Sequence, residues 1–202
     1  MRIVIVGQKW LGAAALELCL RRGDQILNVV TPGAEPGECD RLYAAAQQAG
    51  IPVTTARRVA AAHIPAGTDL ILSAHGHAYV TAAARAVSRH GALGYHPSLL
   101  PRHRGRDAVR WAIQMRDTIT GGTLYWMDDG ADTGPIAAQD WCHVRPTDTP
   151  ASLWRRDLAP MGLRLIGRAL ADLDRGVVTA LPQNEACATW EPAFSGSKLA
   201  AR

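Results

Sequence analysis

The sequence predicts an α/β domain built on a mostly parallel, doubly wound sheet, and three observations carry that prediction. A β-branched run, Ile3 to Val6, stops at Gly7, and apolar residues then recur at helical spacing from Leu11 to Leu20. Short apolar strands continue to alternate with helical stretches along most of the chain, the pattern of parallel strands joined by crossover helices. At 202 residues the chain is the size of one ordinary domain and buries a core without needing metals or disulfides to fold.

Taken in order, Ile3 to Val6 is the first strand and Leu11 to Leu20 the first helix. Ile26 to Val30 reads as a second buried strand, Leu42 to Ala49 as a helix, Ile51 to Thr54 as a short strand and Leu70 to Ser73 as another. That last strand leads into the loop Ala74-His75-Gly76-His77. A helix is predicted over Val80 to Arg89, and a strand over Ala92 to Tyr95 that delivers His96 at its carboxyl end, where open α/β sheets place their ligands. Asp107 to Met115 is a further helix, Gly122 to Met127 a strand ending at an acidic run, and another strand follows Gly134. A long helix starts at Thr149-Pro150, an N-cap followed by proline at the first helical position, and runs to Asp174 with a kink at Pro160. Glu35 to Glu38 reads as a surface turn and Ser195 to Arg202 as a loose tail.

The formal charge is +4 and the sequence pI about 9.1, which suits an anionic ligand and falls short of a nucleic-acid footprint. No apolar run is long enough for a signal peptide or a membrane span. Cys19, Cys39, Cys142 and Cys187 stand singly, without the paired spacing of a zinc site or a disulfide framework, so a reducing cytoplasm is the expected setting.

Chemistry concentrates in two runs, Gly94-Tyr95-His96-Pro97-Ser98-Leu99-Leu100-Pro101-Arg102-His103-Arg104-Gly105 and Asp128-Asp129-Gly130-Ala131-Asp132-Thr133-Gly134. A histidine at a loop start often does no more than bond its backbone. Here Pro97 and Pro101 stiffen the loop, Gly94 permits close backbone approach, and the strand-end position favours acid-base work on a carbonyl. Asp-Asp-Gly is usually a solvated turn, but Asp132 passes straight into a strand, so its carboxylate is expected near a sheet end and near His96. Gly7 to Gly12 lacks both the GxGxxG spacing and the Walker residues and reads as a plain tight turn. His75 and His77 could join His96 on a metal only with a third ligand that no HExxH-like spacing supplies, so no metal is expected. Ala74 to Tyr79 reads instead as lining for a cleft that takes a flat heterocycle.

The two runs resemble the signature of the folate-dependent formyltransferases, Asn-x-His-x-Ser-Leu-Leu-Pro-x-x-Arg-Gly followed by Asp-x-Gly-x-Asp-Thr-Gly. The likeness is strongest to the hydrolase domain of 10-formyltetrahydrofolate dehydrogenase. The resemblance runs from Met1 to about Gln183 and implies a Rossmann-like formyltransferase fold, with a catalytic domain over 1–183 and a C-terminal extension or tail over 184–202. It implies 10-formyltetrahydrofolate as donor co-substrate, His96 and Asp132 as the catalytic pair acting through a tetrahedral intermediate, and His77, Ala78, Tyr79, Met127, Asp128 and Asp129 as contacts to the pterin. Ser98, Arg102, His103 and Arg104 would border the entry of the formyl acceptor. Where most of that family has asparagine two residues before the histidine this chain has Gly94, losing an oxyanion donor worth on the order of a hundredfold in rate. Tyr79, Ser98 and His103 are candidates to substitute.

These implications make formyl transfer to a primary amine of a small metabolite the leading expectation, with hydrolysis of the same donor and a non-catalytic folate-binding module as the alternatives. The glycine- and serine-rich loop of glycinamide ribonucleotide formyltransferases is missing after the first strand, and the chain ends before the tRNA-binding barrel of methionyl-tRNA formyltransferases. The expected partner is therefore a small-molecule amine, with no nucleic acid and no membrane, in a monomer or homodimer. Trp154 and Trp190 offer surface for a dimer, and Trp190 is alternatively placed to cap the folate cleft.

Overall fold

The computed structural model describes residues 1–32 and 40–194, so the turn expected at Glu35 to Glu38, Cys39 and the tail from Ser195 lie outside the described residues. The strands are β1 Arg2–Gly7, β2 Gln25–Thr31, β3 Val53–Thr55, β4 Arg58–Val59, β5 Leu70–Ala74, β6 Tyr79–Val80, β7 Ala92–His96, β8 Ile119–Trp126 and β9 Ile136–His143. The helices are α1 Lys9–Arg22, α2 Arg41–Gln48, α3 Ala82–Val87, α4 Ala108–Gln114, α5 Pro150–Leu153 and α6 Ala159–Asp174.

Among the described residues, seven strands form one sheet in the order β3-β2-β1-β5-β7-β8-β9. The pairings from β3 through β7 are parallel, whereas β8 pairs antiparallel with both β7 and β9. The sheet is thus the doubly wound, mostly parallel one the sequence predicts, with an antiparallel hairpin added at one side.

Strand periodicity divides the core in two. Ile3, Ile5, Leu70, Leu72, Leu93 and Leu124 face Leu11 and Leu16 of α1 and Leu165, Ile166 and Leu170 of α6. Val4, Val6, Val30 and Ile71 point the other way, toward Val59, Val80 and Ala84. Both faces are covered, and for this reason the inner strands read as continuous apolar runs rather than alternating ones. Each fully buried Leu or Ile stabilises the fold by roughly 1.5–3 kcal/mol.

Several elements depart from the sequence reading. The helix predicted over Val80 to Arg89 is shorter, because Tyr79 and Val80 pair with Arg58 and Val59 as a two-stranded ribbon. Thr81 then caps α3 by accepting from the amide of Ala84 at 3.1 Å. Thr149 caps α5 as expected, accepting from the Ser152 amide at 3.1 Å. The helical path from Pro150 to Asp174 has a π-helical turn, Trp154–Leu158, just before Pro160. The wider turn lets the helix pass a residue that has no amide hydrogen to donate. Among the described residues no helix is long and apolar enough to cross a membrane.

Candidate active site

β7 is buried along its whole length, and its two-residue period puts Leu93 and Tyr95 on the α6 side and Gly94 and His96 on the opposite face. Tyr95 anchors the strand by donating its hydroxyl to the carbonyl of Leu158 at 2.6 Å. The His96 ring, 6% exposed, donates from Nε2 to the carbonyl of His103 at 2.7 Å. That bond assigns the Nε2 hydrogen, and it leaves Nδ1 as the nitrogen free to take or give a proton.

The loop after β7 is held on the hairpin. Thr123 donates to the carbonyl of Ser98 at 2.7 Å and accepts from the amide of Leu100 at 3.1 Å, while Gln139 donates to the carbonyl of Leu100 at 3.0 Å. Together these fix the point from which the His103 carbonyl reaches His96.

Asp132 arrives from the β8–β9 connection. Asp128 shapes that connection by accepting from the Gly130 amide at 3.0 Å and the Thr133 hydroxyl at 2.6 Å. Asp132 itself has φ 59°, a left-handed conformation uncommon outside glycine, so the surrounding bonds must hold it. Its Oδ1 accepts from the Tyr125 hydroxyl at 2.7 Å and its Oδ2 from the Gly105 amide at 2.7 Å. Oδ2 also lies 3.4 Å from His96 Nδ1. The expected pair is thus brought together, at a separation longer than an ordinary hydrogen bond.

The segment 181–194 crosses over this assembly, and its role was not legible in the sequence. Leu181 pairs with Ile136 through two main-chain bonds of 2.8 and 2.9 Å. Gln183 donates to the carbonyls of Asp132 and Gly134 at 2.9 and 2.7 Å. Thr189 accepts the His103 amide at 2.8 Å, and Trp111 donates to the carbonyl of Pro192 at 2.8 Å. Residues 184–194, read from sequence as a C-terminal extension or tail, are therefore bonded to the histidine loop through Thr189 and Glu185, while the aspartate loop is held by Gln183 just before them.

The residues expected around the acceptor are engaged inside the loop. Ser98 donates to the carbonyl of Arg102 at 2.6 Å, and Arg102 makes two bonds to Asp117 at 3.0 and 2.7 Å. His103 contacts Asp117 through Nε2 at 2.8 Å and approaches Glu191 with Nδ1 at 3.1 Å. Arg104, expected to attract an anion, is 1% exposed, and its guanidinium is bound to Gln183 and Glu185 at 2.6–3.0 Å with the Trp190 ring 5.4 Å away.

Among the residues expected at the pterin, Ala78 is buried in the second core and Tyr79 is exposed beneath Arg58, 5.0 Å from its ring centre. Asp129 pairs with Arg85 at 2.5 Å. Met127 is half-buried and lies against Gly94. His77 meets His75 edge-on at 5.5 Å, and His75 meets Trp154 at 5.1 Å. Burial, with His77 and Lys9 adding, lowers the His75 pKa to about 4, and its buried Nδ1 has no hydrogen-bond partner among the described residues. His77 is lowered as well, by burial and then by Arg106 and Lys9.

Sequence reasoning missed Tyr125, Gln183 and Gly105 as direct partners of the Asp132 segment. Of these only Tyr125 left a signal, a phenol in the β8 strand that leads into the acidic loop.

Comparison with known proteins identifies the family. A family model described as formyl transferase matches residues 1–164. Mitochondrial 10-formyltetrahydrofolate dehydrogenase of Mus musculus is 34% identical over 201 residues, covering 95% of this chain and 22% of that protein. Methionyl-tRNA formyltransferase of Acidobacterium capsulatum is 33% identical over 205 residues, covering 95% of this chain and 65% of that one. The chain therefore spans under a quarter of the length of the dehydrogenases it matches. In fold it is similar to an N-formyltransferase from Helicobacter canadensis crystallised with folinic acid and dTDP-3-aminofucose, with TM-score 0.79, 19% identity and coverage of 94% of this chain and 70% of that one. It is also similar to glycinamide ribonucleotide transformylase 1 from Symbiobacterium toebii, with TM-score 0.72, 22% identity and coverage of 90% and 94%. With the match covering most of its length and the histidine and aspartate of the signature side by side, the chain belongs to the formyl transferase family.

Proposed function

We propose that this protein transfers the formyl group of 10-formyltetrahydrofolate to a primary amine of a small metabolite. The observation that carries the reading is the facing of His96 Nδ1 and Asp132 Oδ2 at 3.4 Å while Nε2 is occupied by the His103 carbonyl. The donor supplies a formyl carbon ready for nucleophilic attack. As the amine nitrogen bonds to that carbon and the bond from carbon to N10 breaks, one proton leaves the amine and one is gained at N10. His96 Nδ1 is the group placed to carry it, and protonation there turns Nδ1 into a donor toward both the developing oxyanion and Asp132.

The loop 77–79 and the segment 127–129 form the proposed pterin cleft. The 10-formyltetrahydrofolate dehydrogenases among the relatives support this choice of donor, as does the folinic acid in the Helicobacter structure. The acceptor would meet the loop 98–106. Since Arg102 and Arg104 are already paired, that loop offers the acceptor shape and main-chain groups more than free charge.

Hydrolysis of the same donor is a second reading, favoured by Gly94 at the place of the family asparagine and by the similarity to the dehydrogenases. Incubation with 10-formyltetrahydrofolate, with and without a panel of amines, tests both. Amine-dependent tetrahydrofolate production supports transfer, and formate release without amine supports hydrolysis. His96→Ala is expected to lose at least a thousandfold in either reaction, and undiminished turnover in that variant overturns the mechanism.

A further inference from the structure

We infer that Tyr125, given room by Gly94, is a positioning residue of this site that holds Asp132 against His96. Gly94 on β7 and Tyr125 on β8 are direct cross-strand partners, so their side chains share the face that carries His96. A Cβ on Gly94 would lie 3.1 Å from Cε1 and 3.2 Å from Cζ of Tyr125, and 3.2 Å from Cγ of Met127. These separations are shorter than the roughly 3.5–4.0 Å of comfortable carbon contacts. Even an alanine at position 94 would therefore press the phenol aside by a few tenths of an ångström.

Gly94 is not among the glycines with positive φ, so the backbone there does not require glycine. Room for the Tyr125 ring is what favours it. That residue is 6% exposed and packs against the glycine, with its hydroxyl donating to Asp132 Oδ1 at 2.7 Å.

Without that hydroxyl, Oδ1 has no donor among the bonds described above, and only the Gly105 amide remains to orient the carboxylate against His96 Nδ1. Burial, with Asp132 adding, raises the phenol pKa well above its usual value, so the group stays a donor throughout the working pH range. Tyr125 thus acts through Asp132 and does not itself touch the reacting atoms. A ring needed only for packing would be served equally well by phenylalanine.

The inference rests on the proposed donor chemistry for its kinetic test, and a second readout is independent of it. Tyr125→Phe should lower kcat for donor consumption by about 10–50-fold with KM for 10-formyltetrahydrofolate within about twofold, and should displace the pH profile of kcat. The His96 ring-nitrogen chemical shifts followed by NMR should change, a measurement that needs no turnover. Gly94→Ala, which pushes the ring aside, should lose activity too, and the double variant should be no worse than the poorer single one. An unchanged kcat together with unmoved His96 ring-nitrogen shifts in Tyr125→Phe overturns the inference, and so does full additivity of the two substitutions. Absence of turnover in the wild type would fail the proposed function alone, because the ring-nitrogen shifts still read the contact.

Discussion

The guanidinium of Arg104 donates from Nε and Nη2 to Oε1 of Gln183, at 3.0 and 2.8 Å, while the Gln183 amide nitrogen donates onward to the carbonyls of Asp132 and Gly134. One side-chain amide thereby joins the histidine loop to the aspartate loop. Glu185 completes the set by taking the remaining face of the guanidinium at 2.8 and 2.6 Å. Arg104 holds the site's geometry from beneath.

Arg104→Lys should show this directly. Lysine keeps the charge but loses the planar fork, leaving the part-buried Gln183 Oε1 short of donors, at a cost of about 2 kcal/mol. For a chain of this size that is roughly 4–8 °C in melting temperature. A thermal melt and steady-state kinetics should find the lower melting point together with a fall in kcat larger than any rise in KM. Retention of both would show that Gln183 holds Asp132 unaided.

Gly134→Ala tests the turn that brings Asp132 into place. A Cβ at Gly134 would overlap the main-chain carbonyl oxygen of Trp126, an atom that cannot step aside as a side chain would. The hairpin loop must shift, with an expected loss of about 3 kcal/mol or more. Gly176→Ala, at a position with φ 74° but nothing within 4 Å, is the control for backbone conformation alone. Calorimetry should rank Gly134→Ala clearly below it, and only Gly134→Ala should lose turnover.

His75 is one source of pH-dependent stability, its pKa being lowered from its ordinary 6.5 to about 4. Between those values the unfolded chain holds the proton and the folded chain does not. The contribution is therefore complete above about pH 6.5 and is lost as pH falls toward 4. Because the ring is partly exposed, about 1–2 kcal/mol is expected after allowing for water. Melting curves at pH 7.5 and 5 should separate less in His75→Gln than in the wild type, and an equal separation would place the pH dependence elsewhere.

Thiol labelling should follow burial. Cys19 is fully buried and its thiol is pushed up to about 12, chiefly by burial, whereas Cys187 is exposed. In the native protein at pH 8, mass spectrometry after iodoacetamide treatment should find Cys187 modified well before Cys19. Equal rates would mean that α1 opens on the labelling timescale.

The fold was legible wherever local pattern decided it. The apolar runs of β1, β2, β5 and β7 and the Thr149-Pro150 cap are properties of neighbouring residues. The ribbon of Arg58 and Val59 with Tyr79 and Val80 was not, because two-residue strands have no period of their own and exist only through each other. The direction of β8 was likewise hidden, since a strand reads the same whether its neighbour is parallel or antiparallel. At the site, His96 and Asp132 declared themselves through loop position and motif. The partners of Arg104 lie about eighty residues further along the chain, at Gln183 and Glu185, and no spacing rule reaches that far. Arg104 accordingly read as a free cation when it is a buried one.

The antiparallel placement of β8 and β9 has a further consequence. Asp132 rides on the tip of a hairpin rather than at the end of a crossover, so residues can be inserted into or removed from that tip without rethreading any strand. Strand order therefore sets no length for that tip, and the bonds from Tyr125, Gly105 and Gln183 hold the acid against the imidazole.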